Sequence, residues 1–139
     1  MRVVLYTNVF ISGVFFIGPP HEILKAWRDG KLQLILSADI LDEYHRVAET
    51  LAEQYPEVDL DPIIELLAVE ADVISVPALR EAVCQDPEDD KFLACALAAN
   101  ARVVISGDKH LLKANGYGGI EVMRPREFME RYLRKWSEG

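Results

Sequence analysis

The stretch from residue 86 to residue 112 (DPEDDKFLACALAANARVVISGDKHLL) constrains the fold of this chain more than any other. Residues 92–99 are almost wholly apolar, so a helix formed by them must be buried on nearly every side. A strand-like apolar run follows at 102–106 and ends at a Gly-Asp pair. The stretch therefore predicts a helix and a strand that both lie inside a layered α/β core.

Four carboxylates open this stretch within five residues, interrupted only by Pro87. Asp86 and Pro87 are typical of a helix N-cap and first helical residue. Asp86, Glu88 and Asp89 can each be a cap or part of a solvated face, stabilised by the helix dipole. Asp90 differs because it lies where the buried run begins. Carboxylates crowded at a partly buried helix end repel one another unless a proton or a cation neutralises them, which indicates a metal site.

Length and composition favour one compact domain over residues 1–139, because half of the residues are apolar and can form a substantial core. No apolar run approaches the roughly 20 residues that span a bilayer, and the chain starts with a strand-like run rather than a signal peptide. Cys84 and Cys95 show no metal-ligand spacing and indicate reduced core residues of a cytoplasmic protein. No membrane partner is expected.

The net charge of −8 argues against nonspecific nucleic-acid binding by surface charge alone. It does not exclude a metal-dependent nuclease, because a bound cation changes the local sign of the potential.

Strand-like and helix-like segments alternate along the whole chain. Strands are predicted at residues 2–5, 32–36, 73–76, 102–106 and 120–123, and helices at 22–28, 38–51, 62–71, 87–99 and from 125 onward. Ser37 is the expected N-cap of the second of these helices. The alternation predicts an α/β fold with a mostly parallel sheet and helices on both faces.

In such a sheet, ligands bind beyond the carboxyl ends of the strands. Polar residues follow three of the predicted strands: the Tyr6-Thr7-Asn8 segment, Glu43 in the following helix, and the segment that ends at Asp108. Asp90 can join them if its helix begins on the same side. Carboxylates from separate segments would form an all-oxygen site, which suits Mg²⁺ or Mn²⁺ rather than zinc.

Three blocks of the sequence resemble the PIN domain family, and more closely the PIN-type toxins of prokaryotic toxin–antitoxin pairs. The blocks are RVVLYTNVFISG, the helix after Ser37 that contains Glu43, and the 86–112 stretch. The resemblance implies a five-stranded parallel sheet and a Mg²⁺- or Mn²⁺-dependent endoribonuclease. The acidic cluster and metal ligands of the family correspond to position 6 and to Glu43, Asp90 and Asp108, with Asn8 and Ser106 as supporting polar groups.

The same resemblance implies RNA as the substrate, a cognate antitoxin as a protein partner and a homodimer as the assembly. In an intact site, the carboxylates would hold ions that orient a water molecule for in-line attack on a phosphodiester. Lys109, His110 and Lys113 follow the acidic site and are candidates for contact with the RNA backbone. A solvated face is the alternative role for these three residues.

The sequence departs from the family pattern at position 6. The first strand of the family ends in Asp-Thr-Asn, whereas this chain has Tyr6-Thr7-Asn8. A phenol has a pKa near 10, so it is neutral at pH 7 and cannot replace a carboxylate as an anionic ligand. We therefore expect a folded protein with weakened or absent metal binding and reduced or absent nuclease activity.

Three explanations fit Tyr6: an inactivating change that protects an expression host, a natural inactive member, and a natural site that still works in altered form. A competing interpretation is a non-catalytic module that binds an antitoxin or a second copy through the apolar faces around Leu24 and Trp27 or Tyr44 and Val47. A dinucleotide-binding oxidoreductase shares the alternating architecture, but no Gly-x-Gly-x-x-Gly follows the first strand.

Overall fold

Five short parallel strands form one sheet at the centre of the computed structural model, which describes residues 1–77, 79, 81–84 and 86–133. The spatial order of the strands is β3-β2-β1-β4-β5. Their bounds are β1 (Arg2–Leu5), β2 (Gln33–Ser37), β3 (Asp72–Ile74), β4 (Val103–Ile105) and β5 (Glu121–Met123). The predicted α/β class and parallel sheet are confirmed, and the strand ends lie within two residues of the sequence-based bounds.

Helices connect the strands. In chain order they are α1 (Thr7–Phe15), α2 (Pro19–Arg28), α3 (Ala38–Gln54), α4 (Asp61–Glu70), α5 (Asp90–Ala99), α6 (Lys109–Leu112) and α7 (Pro125–Phe128), which a π-helical turn (Met129–Leu133) extends. Two 3₁₀ turns, Pro87–Asp89 and Tyr117–Gly119, complete the elements of the described chain. In the described ranges, no helix combines the length and hydrophobicity needed to cross a membrane.

The central strand β1 pairs with β2 on one side and with β4 on the other. Val3 is opposite Leu34 of β2 and opposite Val103 of β4, and all three side chains are buried. Strands covered on both faces are continuously apolar, which explains the sequence of β1 and β4. Since the chain runs outward in both directions from β1, the strand order reverses between β1 and β4, where α/β folds form their ligand crevice.

Helix α5 is buried as predicted, but it begins later than the sequence indicated. Asp86 caps the 3₁₀ turn by accepting a hydrogen bond from the Glu88 amide at 3.0 Å, and α5 starts only at Asp90. Asp86 is thus an N-cap and Pro87 the first helical residue, as predicted, but of the 3₁₀ turn that directly precedes α5.

Helix α3 begins as predicted, because the Ser37 hydroxyl accepts a hydrogen bond from the Ile40 amide at 3.2 Å. The Tyr44 ring stacks on Phe10 with 4.4 Å between ring centroids, and both side chains are fully buried. Leu24 and Trp27 are buried as well. Because Leu24, Trp27 and Tyr44 belong to the core, the two faces that the sequence offered for partner binding are unavailable to a partner.

Candidate functional site

Tyr6 lies at the crevice, directly after the carboxyl end of β1. Its backbone amide donates to the Ile105 carbonyl of β4 at 2.9 Å, which extends the sheet pairing by one residue. Its half-buried ring packs against Phe92 of α5, with ring centroids 5.0 Å apart. The substituted position therefore lies between the two central strands and the buried helix.

The Tyr6 phenol interacts with the Asp89 carboxylate, and each group shifts the pKa of the other. Burial raises the pKa of Tyr6 far above its usual value, and the charges of Asp89, Asp108 and Glu43 raise it further. The hydroxyl consequently stays protonated at every physiological pH and serves as a donor. The carboxylate that the family has at this position would have added a negative charge. The phenol is neutral and favours the charged form of the neighbouring Asp89.

Asp89 is the carboxylate that the structure buries, with 8% of its surface exposed. Burial raises the pKa of its side chain, as do the neighbouring charges of Asp86, Asp108 and Glu43. The hydrogen bond from Tyr6 acts in the opposite direction and lowers this pKa. Burial and the neighbouring negative charges thus disfavour the charged form of Asp89, and Tyr6 stabilises that form.

Glu43 reaches the same region from the second turn of α3. Its carboxylate accepts a hydrogen bond from the Thr7 hydroxyl and forms an ion pair with Lys91, whose Nζ lies 2.6 Å from Oε1. Burial lowers the pKa of Lys91, but the hydrogen bonds and charges of Glu43 and Glu88 outweigh that effect and leave the pKa raised. Lys91 is therefore a fully charged ammonium group at the edge of the acidic cluster.

Asp108 follows β4 and is the N-cap of α6. Its Oδ1 accepts from the backbone amides of His110 at 2.8 Å and Leu111 at 3.2 Å. Its own amide donates to the Ser106 hydroxyl at 2.9 Å, so Ser106 orders this turn as the sequence suggested. Asp108 acts electrostatically on both Tyr6 and Asp89.

Asp90 has a different environment from the other predicted site residues. Both of its carboxylate oxygens accept backbone hydrogen bonds, from the Val83 amide at 3.1 Å and the Cys84 amide at 2.7 Å. This carboxylate fixes the loop before the 3₁₀ turn. Asn8 is exposed in the first turn of α1. The structure thus brings Tyr6 together with Glu43, Asp108 and Asp89, the neighbour of the predicted Asp90.

Sequence reasoning missed two contributors. Asp89 was assigned to a cap or solvated face, and Lys91 was assigned no role. A signal existed for Lys91, because it is the single basic residue of a mainly apolar helix. No signal in the sequence showed that Asp89 would be buried.

The donor chemistry of the cluster, all carboxylate and hydroxyl oxygens, is of the kind that Mg²⁺ and Mn²⁺ prefer. Its arrangement does not fit such an ion. Groups of the protein itself already engage each carboxylate: Lys91, Tyr6 or backbone amides. Within the described ranges, no three acidic, histidine or cysteine side chains are grouped closely enough to hold a metal.

Two grooves border the cluster. The larger, of about 830 Å³, is lined by α3 and the start of α5, and its charged residues are mainly acidic. The smaller, of about 550 Å³, is lined by Val83, Cys84, His110, Lys113, Ala114, Asn115 and Tyr117. Cys84 connects this groove to the cluster, because its buried thiol has a pKa raised to about 12 by burial and by Asp90, Asp89 and Asp108.

Comparison with known proteins assigns the chain to a family. A family model described as "PIN domain" matches residues 2–110. The chain is also 30% identical, over 145 aligned positions, to the uncharacterized protein MJ1680 of Methanocaldococcus jannaschii, and the alignment covers 95% of this chain and 92% of that protein. The matched region contains β1 through β4 and every residue of the acidic cluster.

Proposed function

The chain belongs to the PIN domain family, and on that basis we propose that it is an endoribonuclease-type domain whose acidic site is impaired by Tyr6. Membership of the family suggests nuclease-type activity in general, and PIN domains generally use divalent metals. The proposal for this chain is narrower: Mg²⁺ or Mn²⁺ binding is weakened, and the cleavage of RNA is reduced or absent.

One observation carries the proposal. Tyr6 stands where the family has a further carboxylate, and its ring packs against Phe92 with 5.0 Å between ring centroids, so the cluster has lost a negative charge at this position. Divalent ions bind where several oxygen anions converge, and each missing anion lowers the affinity. Glu43, Asp89 and Asp108 act electrostatically on position 6, so an aspartate there would add a fourth carboxylate to the cluster.

RNA would reach the cluster through the smaller groove. Between positions 102 and 126, five lysines and arginines accompany two carboxylates, whereas the whole chain has a net charge of −8. Lys113 and His110 line that groove with the ring of Tyr117. Proteins bind single-stranded nucleic acids through cations that pair with the phosphates and aromatic rings on which the bases stack. Lys109, in the same helix, is a further candidate for phosphate contact.

Cleavage of unstructured RNA by the Tyr6→Asp variant tests the proposal, with and without Mg²⁺ or Mn²⁺. We expect metal-dependent cleavage by this variant and little or none by the unmodified protein. Tyr6→Asn is the matched control, because it has the same size as the aspartate but no charge, and it should stay inactive. An inert Tyr6→Asp variant across varied RNAs, or equal cleavage by the unmodified protein, would contradict the proposal.

The groove is tested separately by RNA binding. Lys113→Ala and Tyr117→Ala should each weaken the binding of a fluorescent single-stranded RNA, while Tyr117→Trp should retain it because stacking is preserved. Lys31→Ala, on the loop before β2, is the control for loss of one positive charge. An effect of Lys113→Ala no larger than that of Lys31→Ala would remove the groove from the proposal.

The toxin role within a toxin–antitoxin pair is part of the proposal and depends on the resemblance of the three sequence blocks. A cytoplasmic location accords with the two cysteines, which are both free and buried. Growth arrest on expression of Tyr6→Asp but not of Tyr6→Asn would support the toxin role, and normal growth with an active variant would contradict it.

A second candidate function is a non-catalytic module that pairs with a second copy of itself. Phe15, Phe16 and Tyr55 form an aromatic cluster at the surface, and the adjacent Ile17 is 92% exposed. Residues 7–20 contain no charged side chain, so two copies of this acidic chain can meet there without like-charge repulsion. Light scattering tests this: a dimer that Ile17→Glu dissociates supports it, and a monomeric unmodified protein contradicts it.

A further inference from the structure

We infer that the Lys91 ammonium group is the resident cation of this acidic site and neutralises the charge that a divalent ion would otherwise neutralise. The inference depends on the position of the site given under the proposed function. It does not depend on whether any variant cleaves RNA, and it is tested by stability and metal binding.

The contacts of Lys91 are those of a fixed counter-ion. Its Nζ lies 2.6 Å from Glu43 Oε1 and 3.3 Å from Glu88 Oε2. The Lys91 and Glu43 side chains are only 14% and 21% exposed, whereas the Glu88 side chain is 78% exposed. The bond to Glu43 is therefore the shielded one, and shielded pairs are screened least by solvent and salt.

The position is unfavourable for a lysine without a carboxylate partner. Lys91 is in the first turn of α5, where the positive end of the helix dipole opposes a cation. Burial also lowers its pKa, yet Glu43 keeps the group charged. The helix dipole and burial both disfavour a positive charge on Lys91. The carboxylates of Glu43 and Glu88 keep the group charged.

Lys91 has no substitute nearby. Among the residues that the structure describes, no other lysine, arginine or histidine forms an ion pair with Glu43, Asp89 or Asp108. Tyr6 favours the charged form of Asp89 but is neutral and adds no positive charge. A divalent ion that approached Glu43 would meet a positive group in the same place, and the two would repel each other.

The test compares thermal unfolding in EDTA with unfolding in millimolar MnCl₂. Lys91→Met removes the ammonium group and keeps the apolar stem, so it should gain a Mn²⁺-dependent rise in melting temperature. Its affinity for Mn²⁺ should increase about tenfold or more over the unmodified protein. Lys91→Arg keeps a cation and should behave like the unmodified protein.

Arg131→Met is the matched control. It breaks another ion pair, with Glu121 at 2.9 Å, and changes the net charge by the same amount far along the sequence from the site. If Mn²⁺ raises the melting temperature of Arg131→Met as much as that of Lys91→Met, only the net charge matters and the inference fails. A folded Lys91→Met variant without any gain would overturn it as well.

The unmodified protein supplies a test that does not depend on any variant folding. Its melting temperature should be the same in EDTA and in MnCl₂, because Lys91 already neutralises Glu43. A large Mn²⁺-dependent rise that Glu43→Gln abolishes would overturn the inference. If Lys91→Met gains Mn²⁺ binding while Tyr6→Asp fails to cleave RNA, the inference stands and the proposed function falls.

Discussion

The interaction of the Tyr6 hydroxyl with Asp89 makes a quantitative prediction for Tyr6→Phe, which deletes that hydroxyl. The phenylalanine ring keeps its packing on Phe92, so no cavity forms. What is lost is a donor to a carboxylate that is 8% exposed. Hydrogen bonds to charged groups contribute about 1.5 to 3 kcal/mol. Since Tyr6 is half-buried and water can partly replace its hydroxyl, we expect a loss of about 1 to 2 kcal/mol at pH 7.

The loss should depend on pH in a definite direction. In the folded protein the pKa of Asp89 is raised above its usual value of 3.8, so the stability of the fold decreases as pH rises through that raised pKa. Tyr6 limits this decrease, because its hydrogen bond lowers the pKa. In Tyr6→Phe the pKa rises further, so the variant loses more stability at neutral pH and less below the usual pKa, where Asp89 is protonated in both states.

Urea unfolding followed by far-ultraviolet circular dichroism, at several pH values between acid and neutral, measures both effects. Tyr117→Phe is the control, because it deletes the hydroxyl of an exposed tyrosine and should leave stability unchanged. The reasoning is refuted if Tyr6→Phe is as stable as the unmodified protein at neutral pH. It is equally refuted if the difference stays constant down to acidic pH.

Two further substitutions test the core that positions the site. Gly13→Ala places a Cβ 2.6 Å from Leu24 Cδ1 and 2.8 Å from the Pro20 carbonyl oxygen. We therefore expect urea unfolding to show a loss of about 1 to 3 kcal/mol in the free energy of unfolding. An unchanged midpoint would mean that α1 and α2 can move apart without cost. Tyr44→Phe deletes a buried hydroxyl that donates to the Leu5 carbonyl oxygen. The loss of this donor should lower the free energy of unfolding by about 1 to 3 kcal/mol. An unchanged free energy of unfolding would show that water reaches the Leu5 carbonyl.

Much of the fold could be predicted from the sequence because its signals are local. The apolar run at residues 2–5 and the run at 102–106 indicated buried strands, and both pair at the centre of the sheet. Ser37 indicated a helix start, which its hydrogen bond to Ile40 confirms. Such signals depend on hydrophobic periodicity and capping, which neighbouring residues determine by themselves.

The faces around Leu24 and Tyr44 could not be interpreted from the sequence alone. A helical apolar stripe is equally consistent with a core and with a partner surface, and only the packing of α2 and α3 shows that these residues are buried. Two of the exposed apolar residues, Phe16 and Ile17, lie where α1 ends. The sequence does not show that these two side chains are exposed, because residues 9–17 are apolar almost throughout.

The candidate site was predictable in its segments but not in its contacts. The residues after β1, in α3 and after β4 were expected at one edge of the sheet, and Tyr6, Glu43 and Asp108 are electrostatically coupled there. The structure buries Asp89 and engages Asp90 with the Val83 and Cys84 amides, and no local sequence signal specifies either environment. The partners of these carboxylates come from distant positions, such as Lys91 for Glu43, and no local pattern specifies such pairs.

Mn²⁺ titration by isothermal calorimetry of the unmodified protein and of Tyr6→Asp tests most directly whether the acidic side chains converge on position 6. In the variant a new anion joins Glu43, Asp89 and Asp108, and the single positive charge of Lys91 no longer offsets the added negative charge. We predict that Tyr6→Asp binds Mn²⁺ at least about tenfold more tightly than the unmodified protein, and that adding Glu43→Gln removes the gain. Equal affinities of the two proteins, or a gain that Glu43→Gln leaves intact, would contradict the account.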